Sequence, residues 1–325
     1  MSLKSNKIKS FLSVIICILF VFFMCSCSSD EGNDSGGAEA KTATVDNNKT
    51  PTYISHKPKA SGKKVYGNDE AEIDASNIKD GYVMVKYKSK TDKRLKILVN
   101  SPNGESCNYD LEGDGSYETI SFPHGSGTYN VGVYKNISGN QYSTVYSTDL
   151  DVEIKDKFMP FLLPNAYVKF DENDETIKVA SDITKDNKTQ LEIIETIYNY
   201  VTDKISYDND LAAKVLNGET SGYIPSIDSV LDSGKGICFD YAVVMTAMLR
   251  SKDIPTKLII GYSGEVYHAW VNVYSKESGE IDKVIKFDGK DYVLMDPTFS
   301  SSYKDEDELQ EYIGDGTKYQ EKYVY

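Results

Sequence analysis

Three residues carry most of the chemistry this sequence could do: Cys238 in GKGICFDYA, His268 in VYHAWVNVY and Asp296 in LMDPTF. A thiolate is a strong nucleophile, but a free thiol near pKa 8.5 is mostly protonated at neutral pH. A helix N-terminus places partial positive charge near a sulfur, and a histidine within hydrogen-bond reach can take its proton. A third group must orient the imidazole and favour its charged form. Taken singly, each residue has a plainer reading. Cys238 could be a small buried residue, His268 a structural histidine and Asp296 a turn former or cap. Taken together they supply a nucleophile, a base and an orienter in a workable order.

The elements that must position them are legible. CFDYAVVMTAMLRSKDI reads as a helix opened by Cys238. Gly234 and Gly236 before it suit a tight turn where a substrate could approach the backbone. TKLIIGYSG, VYHAWVNVYS and DYVLMDPTF read as strands, and within the second His268 and Trp270 share a face. Asp296 precedes a proline, which holds it extended. Upstream, KTQLEIIETIYNYVTDKI places Leu191, Ile194, Ile197, Tyr198, Val201 and Ile205 at helical spacing behind a Thr189 N-cap. IPSIDSVLDSGKG is a short helix ending at glycine. Helices precede strands here, an α+β order. The acidic end, DEDELQEYIGDGTKYQEKYVY, reads as peripheral.

Residues 63–156 follow a different period. GYVMVKYKS, RLKILVNS, TYNVGVYKN and TVYSTDLDVEI alternate apolar and polar positions between turn clusters such as EGDGS and NISGN. Short strands at regular spacing predict an antiparallel β-sandwich. Its one histidine, His124 in FPHGSG, sits in turn chemistry and reads as a surface loop residue. KFMPFLLPNAYV, with two prolines, marks a junction before a second domain over 160–325.

The N-terminus is of another kind. Lys4, Lys7 and Lys9 precede the uncharged run FLSVIICILFVFFM, then small residues, the layout of a secretory signal over 1–26. An uncleaved signal anchor is the alternative. MCSCSSD resembles a bacterial lipoprotein signal with Cys27 as the lipidated residue. Residues 27–62, rich in Ser, Gly, Asp, Asn and Thr, read as a disordered tether. The protein is then expected to be extracytoplasmic and held to the bacterial cell membrane by its lipid. Loss of Lys4, Lys7 and Lys9 would take the net charge from −14 to −17. So acidic a chain argues against nucleic acid as a partner.

Of the five cysteines, Cys17 and Cys25 would leave with the signal and Cys27 would carry lipid. Cys107 and Cys238 fall in different domains, so a disulfide framework is not expected. Three histidines and no C-x-x-C in the mature region supply a zinc site poorly. DENDE at 171–175 lacks the spacing of a calcium loop. No metal and no cofactor are expected.

G-x-C-x-D-Y-A at 236–242, Y-H-A-W at 267–270 and D-P-T at 296–298 resemble the transglutaminase-like superfamily. IYNYVTDKISYD and MLRSKDIPTKLIIGY resemble it too, so the likeness spans roughly residues 160–300. The resemblance implies a papain-type Cys-His-Asp arrangement, with Cys238 as nucleophile, His268 as general base and acid, and Asp296 as orienter. Asp240 and Tyr241 belong to the motif as local support. It implies acyl transfer through a thioester, resolved by water in a protease or amidase and by an amine in a cross-linking transglutaminase. The Cys238 backbone N–H is one candidate oxyanion donor, with Tyr207 and Tyr223 as aromatic candidates for another. Substrates suggested by the address are peptides, proteins or cell-wall peptides. The alternative is a non-catalytic surface-binding or scaffold lipoprotein that keeps the fold; a complete triad separates the two.

Overall fold

Period-two alternation over residues 65–152 builds eight strands: β1 Val65–Gly67, β2 Ala71–Asp74, β3 Tyr82–Tyr87, β4 Leu95–Asn100, β5 Ser106–Leu111, β6 Glu118–Ser121, β7 Gly127–Ser138 and β8 Gln141–Val152. The computed structural model describes residues 56–220, 222–281, 285–302 and 316–325. The expected signal segment, Cys27 and most of the expected tether lie outside them. Two four-stranded antiparallel sheets form, in orders β1-β2-β3-β6 and β5-β4-β7-β8. Each buries one face, with Ile73, Val83 and Val85 from one sheet and Ile97, Val99, Val131 and Val133 from the other in a common core. This is the sandwich the alternation predicts. Strand β3 is apolar on both faces for a reason the sequence also shows. Tyr82 and Met84 point away from that core and pack on Leu163 of the proline-rich junction.

The second part begins with helices Glu175–Ile183 and Gln190–Lys204. The latter starts on Thr189, whose side chain accepts the Glu192 N–H while the Glu192 carboxylate takes the Thr189 N–H. The two-residue strands β9 Ser206–Tyr207 and β10 Lys235–Gly236 then pair in parallel, with helices Asn209–Leu216 and Ile227–Ser233 between them. Gly234 ends the second of these at φ 62, a left-handed position that suits glycine. Helix Cys238–Arg250, the Cys238 helix, follows and is buried on all sides from Asp240 onward. It packs on the antiparallel sheet β15-β12-β11-β16, made of β11 Thr256–Ser263, β12 Val266–Tyr274, β15 Tyr292–Met295 and β16 Tyr319–Val324. A hairpin of β13 Ser278–Ile281 and β14 Ile285–Asp288 lies between β12 and β15 in sequence, and helix Pro297–Ser302 follows β15.

Two expectations are corrected. The C-terminal segment is not peripheral where it is described: β16 pairs with β11, and Tyr325 is buried against Tyr109 of the sandwich at a ring separation of 5.3 Å. Gln320, Glu321 and Lys322 are all exposed, at a shift in the β11–β16 register, which is why the stretch looks polar. Residues 56–62, assigned by composition to the tether, are held on the folded part. The Lys59 N–H donates to the Tyr82 hydroxyl, the Gly62 N–H to Asp74, and His56 meets Asp253 at 2.8 Å. One buried cluster runs without a break from the sandwich through Ala166 and Val168 to the Cys238 helix.

Candidate active site

Three elements that are remote in sequence converge on one buried spot. Cys238 stands in the first turn of its helix, half-buried. Ile237 precedes it in extended conformation and has no side-chain acceptor to cap the helix. Asp240 braces the helix entry from the other side: its Oδ2 accepts the Ile237 N–H at 2.7 Å, and its Oδ1 accepts the Tyr223 hydroxyl at 2.5 Å. Asp240 is fully buried, and burial raises its pKa against the lowering effect of these two bonds. The reason for Gly236 follows. A Cβ there would meet the Asp240 Cβ at 2.5 Å, so the glycine makes room for the bracing carboxylate rather than for a substrate. Tyr223 is committed to Asp240 and does not face the reaction as an oxyanion donor. Tyr207 pairs alongside Gly236, and the Cys238 sulfur is among the groups that act on its hydroxyl.

His268 lies in β12 opposite Gly261 of β11. A Cβ at Gly261 would collide with the Gln320 carbonyl and with Trp270, so only glycine lets β16 and Trp270 close over this part of the sheet. Phe299 packs on the His268 ring at 4.8 Å, and Trp270 stacks beyond it at 6.3 Å. The ring is 5% exposed, so its charge is decided by its neighbours and not by water.

Asp296 ends β15 and serves two elements at once. Its Oδ1 accepts the Thr298 and Phe299 N–H groups at 3.1 and 3.2 Å, capping the helix that Pro297 opens. Its Oδ2 meets His268 Nε2 at 2.7 Å. The cap and the orienter are therefore one residue, which is what an Asp-Pro-Thr sequence can provide. The Tyr319 hydroxyl of β16 also donates to Oδ2, at 2.7 Å. Sequence reasoning missed Tyr319 because the segment carrying it looked peripheral. No local pattern links a tyrosine to an aspartate 23 residues away.

With Nε2 taken by Asp296, the Nδ1 edge remains for Cys238, whose thiol lies within hydrogen-bonding reach of the ring. Burial alone would lower the proton affinity of His268. The Asp296 carboxylate and Cys238 outweigh that and hold the imidazole at about 10. His268 is thus an imidazolium at neutral pH, the partner that a thiolate nucleophile requires. Its proton is lost only as pH rises towards 10, and removing the carboxylate charge must shift that loss to lower pH. Asp296→Asn keeps the Oδ1 cap and should bring the His268 titration down. The chain has three histidines, so imidazole NMR can follow each of them against pH. A His268 signal that titrates at the same pH in both proteins would refute this assignment of cause.

The other sequence candidates are placed elsewhere. Cys107 is buried in the sandwich, and burial pushes its thiol up to about 11, an inert sulfur. His124 is partly buried at a turn beside Asn103 and Glu105, remote in sequence from the triad. Among the described residues no group of three or more His, Cys, Asp or Glu is arranged to hold a metal.

The site and fold define a papain-type thiol arrangement on a helix and an antiparallel sheet. Residues 177–297 match the family model of the transglutaminase-like superfamily, and the chain carries a transglutaminase-like domain. No curated protein matches the chain. Among solved structures it is similar to a candidate cysteine protease from Cytophaga hutchinsonii, with 15% identity over 67% of this chain and 71% of that one, at a TM-score of 0.34. It is similar to the periplasmic domain of TgpA from Pseudomonas aeruginosa, with 14% identity over 73% and 96% of the two chains, at a TM-score of 0.33. Red sea bream transglutaminase is similar at 11% identity over 67% of this chain and 48% of that one, at a TM-score of 0.27.

Proposed function

We propose that this protein is an extracytoplasmic cysteine enzyme that breaks peptide or carboxamide bonds through a thioester on Cys238. The observation that most supports the reading is the buried His268–Asp296 contact of 2.7 Å beside a cysteine at a helix N-terminus. The Cys238 thiolate attacks the carbonyl carbon, and the negative charge that builds on oxygen is met by the backbone N–H of Cys238 at the start of its helix. The C–N bond then breaks as the His268 imidazolium gives its proton to the departing nitrogen. The neutral imidazole next takes a proton from water or an amine, which attacks the thioester and frees the sulfur. Water completes a hydrolysis, and an amine completes a transamidation.

The proposed address rests on residues 1–27, with three lysines, an apolar run from Phe11 to Met24 and Cys27 as the lipid acceptor. It places the enzyme at the outer side of the cell membrane, with peptides, proteins or cell-wall peptides as substrates.

The test incubates the full-length protein with glutamine-containing and wall-derived peptides, with and without a primary amine, and follows products by mass spectrometry. The expected result is an acyl adduct on Cys238 and turnover that Cys238→Ala lacks. Equal product from Cys238→Ala would sink the proposal, and binding of the peptides without any adduct or turnover would favour the scaffold reading.

A further inference from the structure

The contact between Tyr319 and Asp296 extends the triad. We infer that Tyr319 is a positioning residue of the active site, its hydroxyl fixing Asp296 Oδ2 and sharing the carboxylate's charge with His268. The inference rests on the proposed reading of Cys238 as the nucleophile.

Asp296 is fully buried. Two backbone N–H groups hold Oδ1, while Oδ2 takes both His268 Nε2 and the Tyr319 hydroxyl at 2.7 Å each. Without Tyr319, Oδ2 would be held, among the described residues, by the imidazole alone, the group that it has to orient. A second, fixed donor removes that freedom, as outer groups do for metal-bound histidines. The tyrosine ring is itself held, edge-on to Trp270 at 5.0 Å, and Trp270 stacks on His268. One side chain of β16 therefore touches both the carboxylate and the aromatic cover of the base.

Charge sharing gives the contact a chemical consequence. A carboxylate oxygen that accepts a second hydrogen bond is a weaker partner for an imidazolium. The groups facing His268 are Cys238 from its helix and Asp296 from the end of β15. Tyr319 acts through Asp296, while Phe299 and Trp270 cover the ring with apolar surface. Losing the hydroxyl should concentrate the carboxylate charge on His268 and raise the pH at which it gives up its proton. It should also loosen the carboxylate and slow the acyl step.

The experiment compares wild type, Tyr319→Phe and Tyr319→Leu in the full-length protein. Imidazole NMR reads the His268 titration, and mass spectrometry at the Cys238 peptide reads alkylation by iodoacetamide and acylation by peptide. Tyr319→Phe keeps the ring on Trp270, so a purely packing role predicts no change. The expected result is a His268 titration moved to higher pH, with acylation slowed about tenfold, the equivalent of one charge-assisted hydrogen bond. Tyr319→Leu should slow it further by also uncovering Trp270. A His268 titration in Tyr319→Phe that stays put or moves down overturns the inference. If Cys238 in the wild type reacts no faster than in His268→Ala, the nucleophile reading fails instead, and the His268 titration still judges the role of Tyr319.

Discussion

Alanine at His268 is expected to cost nearly all of the acyl transfer, and alanine at Cys238 no more than that. The two residues act as one unit, since the thiolate attacks and the imidazolium protonates the leaving nitrogen. Removing either member of such a unit typically costs about 10⁴-fold or more, and removing both adds little. The Cys238→Ala/His268→Ala double variant should therefore match the single ones. The fold should survive in each. Cys238 is only half-buried in a first helical turn where alanine is well tolerated, and the entry to that turn is braced by Asp240 on the Ile237 N–H and not by the sulfur. Substrate-free chemistry gives a second reading. A free thiol is a few per cent thiolate at pH 7. Loss of the imidazolium should thus slow iodoacetamide alkylation of Cys238 at that pH by about tenfold, allowing for the lower intrinsic nucleophilicity of a stabilised thiolate. Alkylation at an unchanged rate in His268→Ala would show that the ring does not activate the sulfur. Asp296→Asn should cost less than either, because it orients and does not carry the proton.

How much of this was readable in the chain depends on whether the cause was local. Thr189 with Glu192, and Gly234 at a helix end, are short-range devices and appear where the sequence puts them. The strand carrying His268 and the aspartate before Pro297 were legible for the same reason. Gly236 was legible as a special position but not for its purpose, because its competitor for space is a side chain four residues ahead that folds back as a brace. The last strand was read wrongly, since one edge strand with charges on its outer face has the composition of a tail. Only the pairing of β16 with β11 reveals that Tyr319, Val324 and Tyr325 face inward parts of the molecule. Arg250 was equally hidden. A basic residue in the last turn of a helix is usually a solvated complement to the helix dipole, whereas this one is wholly buried.

Arg250 gives the largest effect expected on stability. Its Nη1 donates to the Leu163 carbonyl at 2.6 Å, Nε and one Nη2 bond reach Thr256 at 3.0 and 2.8 Å, and Nη2 also reaches the Tyr325 carbonyl at 2.8 Å. Those three carbonyls belong to the proline-rich junction, the start of β11 and the C-terminal segment, so one guanidinium ties together three stretches that the chain does not connect locally. Burial pushes its pKa down to about 9, which leaves it charged at neutral pH among carbonyl dipoles. A buried cation can be neutral or even costly to keep when a whole ion pair is replaced by apolar groups. Here the partners are backbone and cannot be replaced with it. Arg250→Met would fill much of the space and take the donor from the Leu163 and Thr256 carbonyls, while the Tyr325 oxygen keeps the Leu258 N–H at 3.0 Å; the cost is about 1–3 kcal/mol for each buried group so stranded. The expected loss is about 4 kcal/mol, a large share of the roughly 5–15 kcal/mol by which proteins are stable. Arg250→Lys keeps a charge but not the fork, and one ammonium cannot span all three carbonyls, so it should fall between. Urea unfolding followed by fluorescence of Trp270, the sole tryptophan, reads the change beside β16 itself. A midpoint for Arg250→Met equal to that of the wild type would mean that water or a backbone shift satisfies those carbonyls, and that the junction and the last strand are held by packing alone.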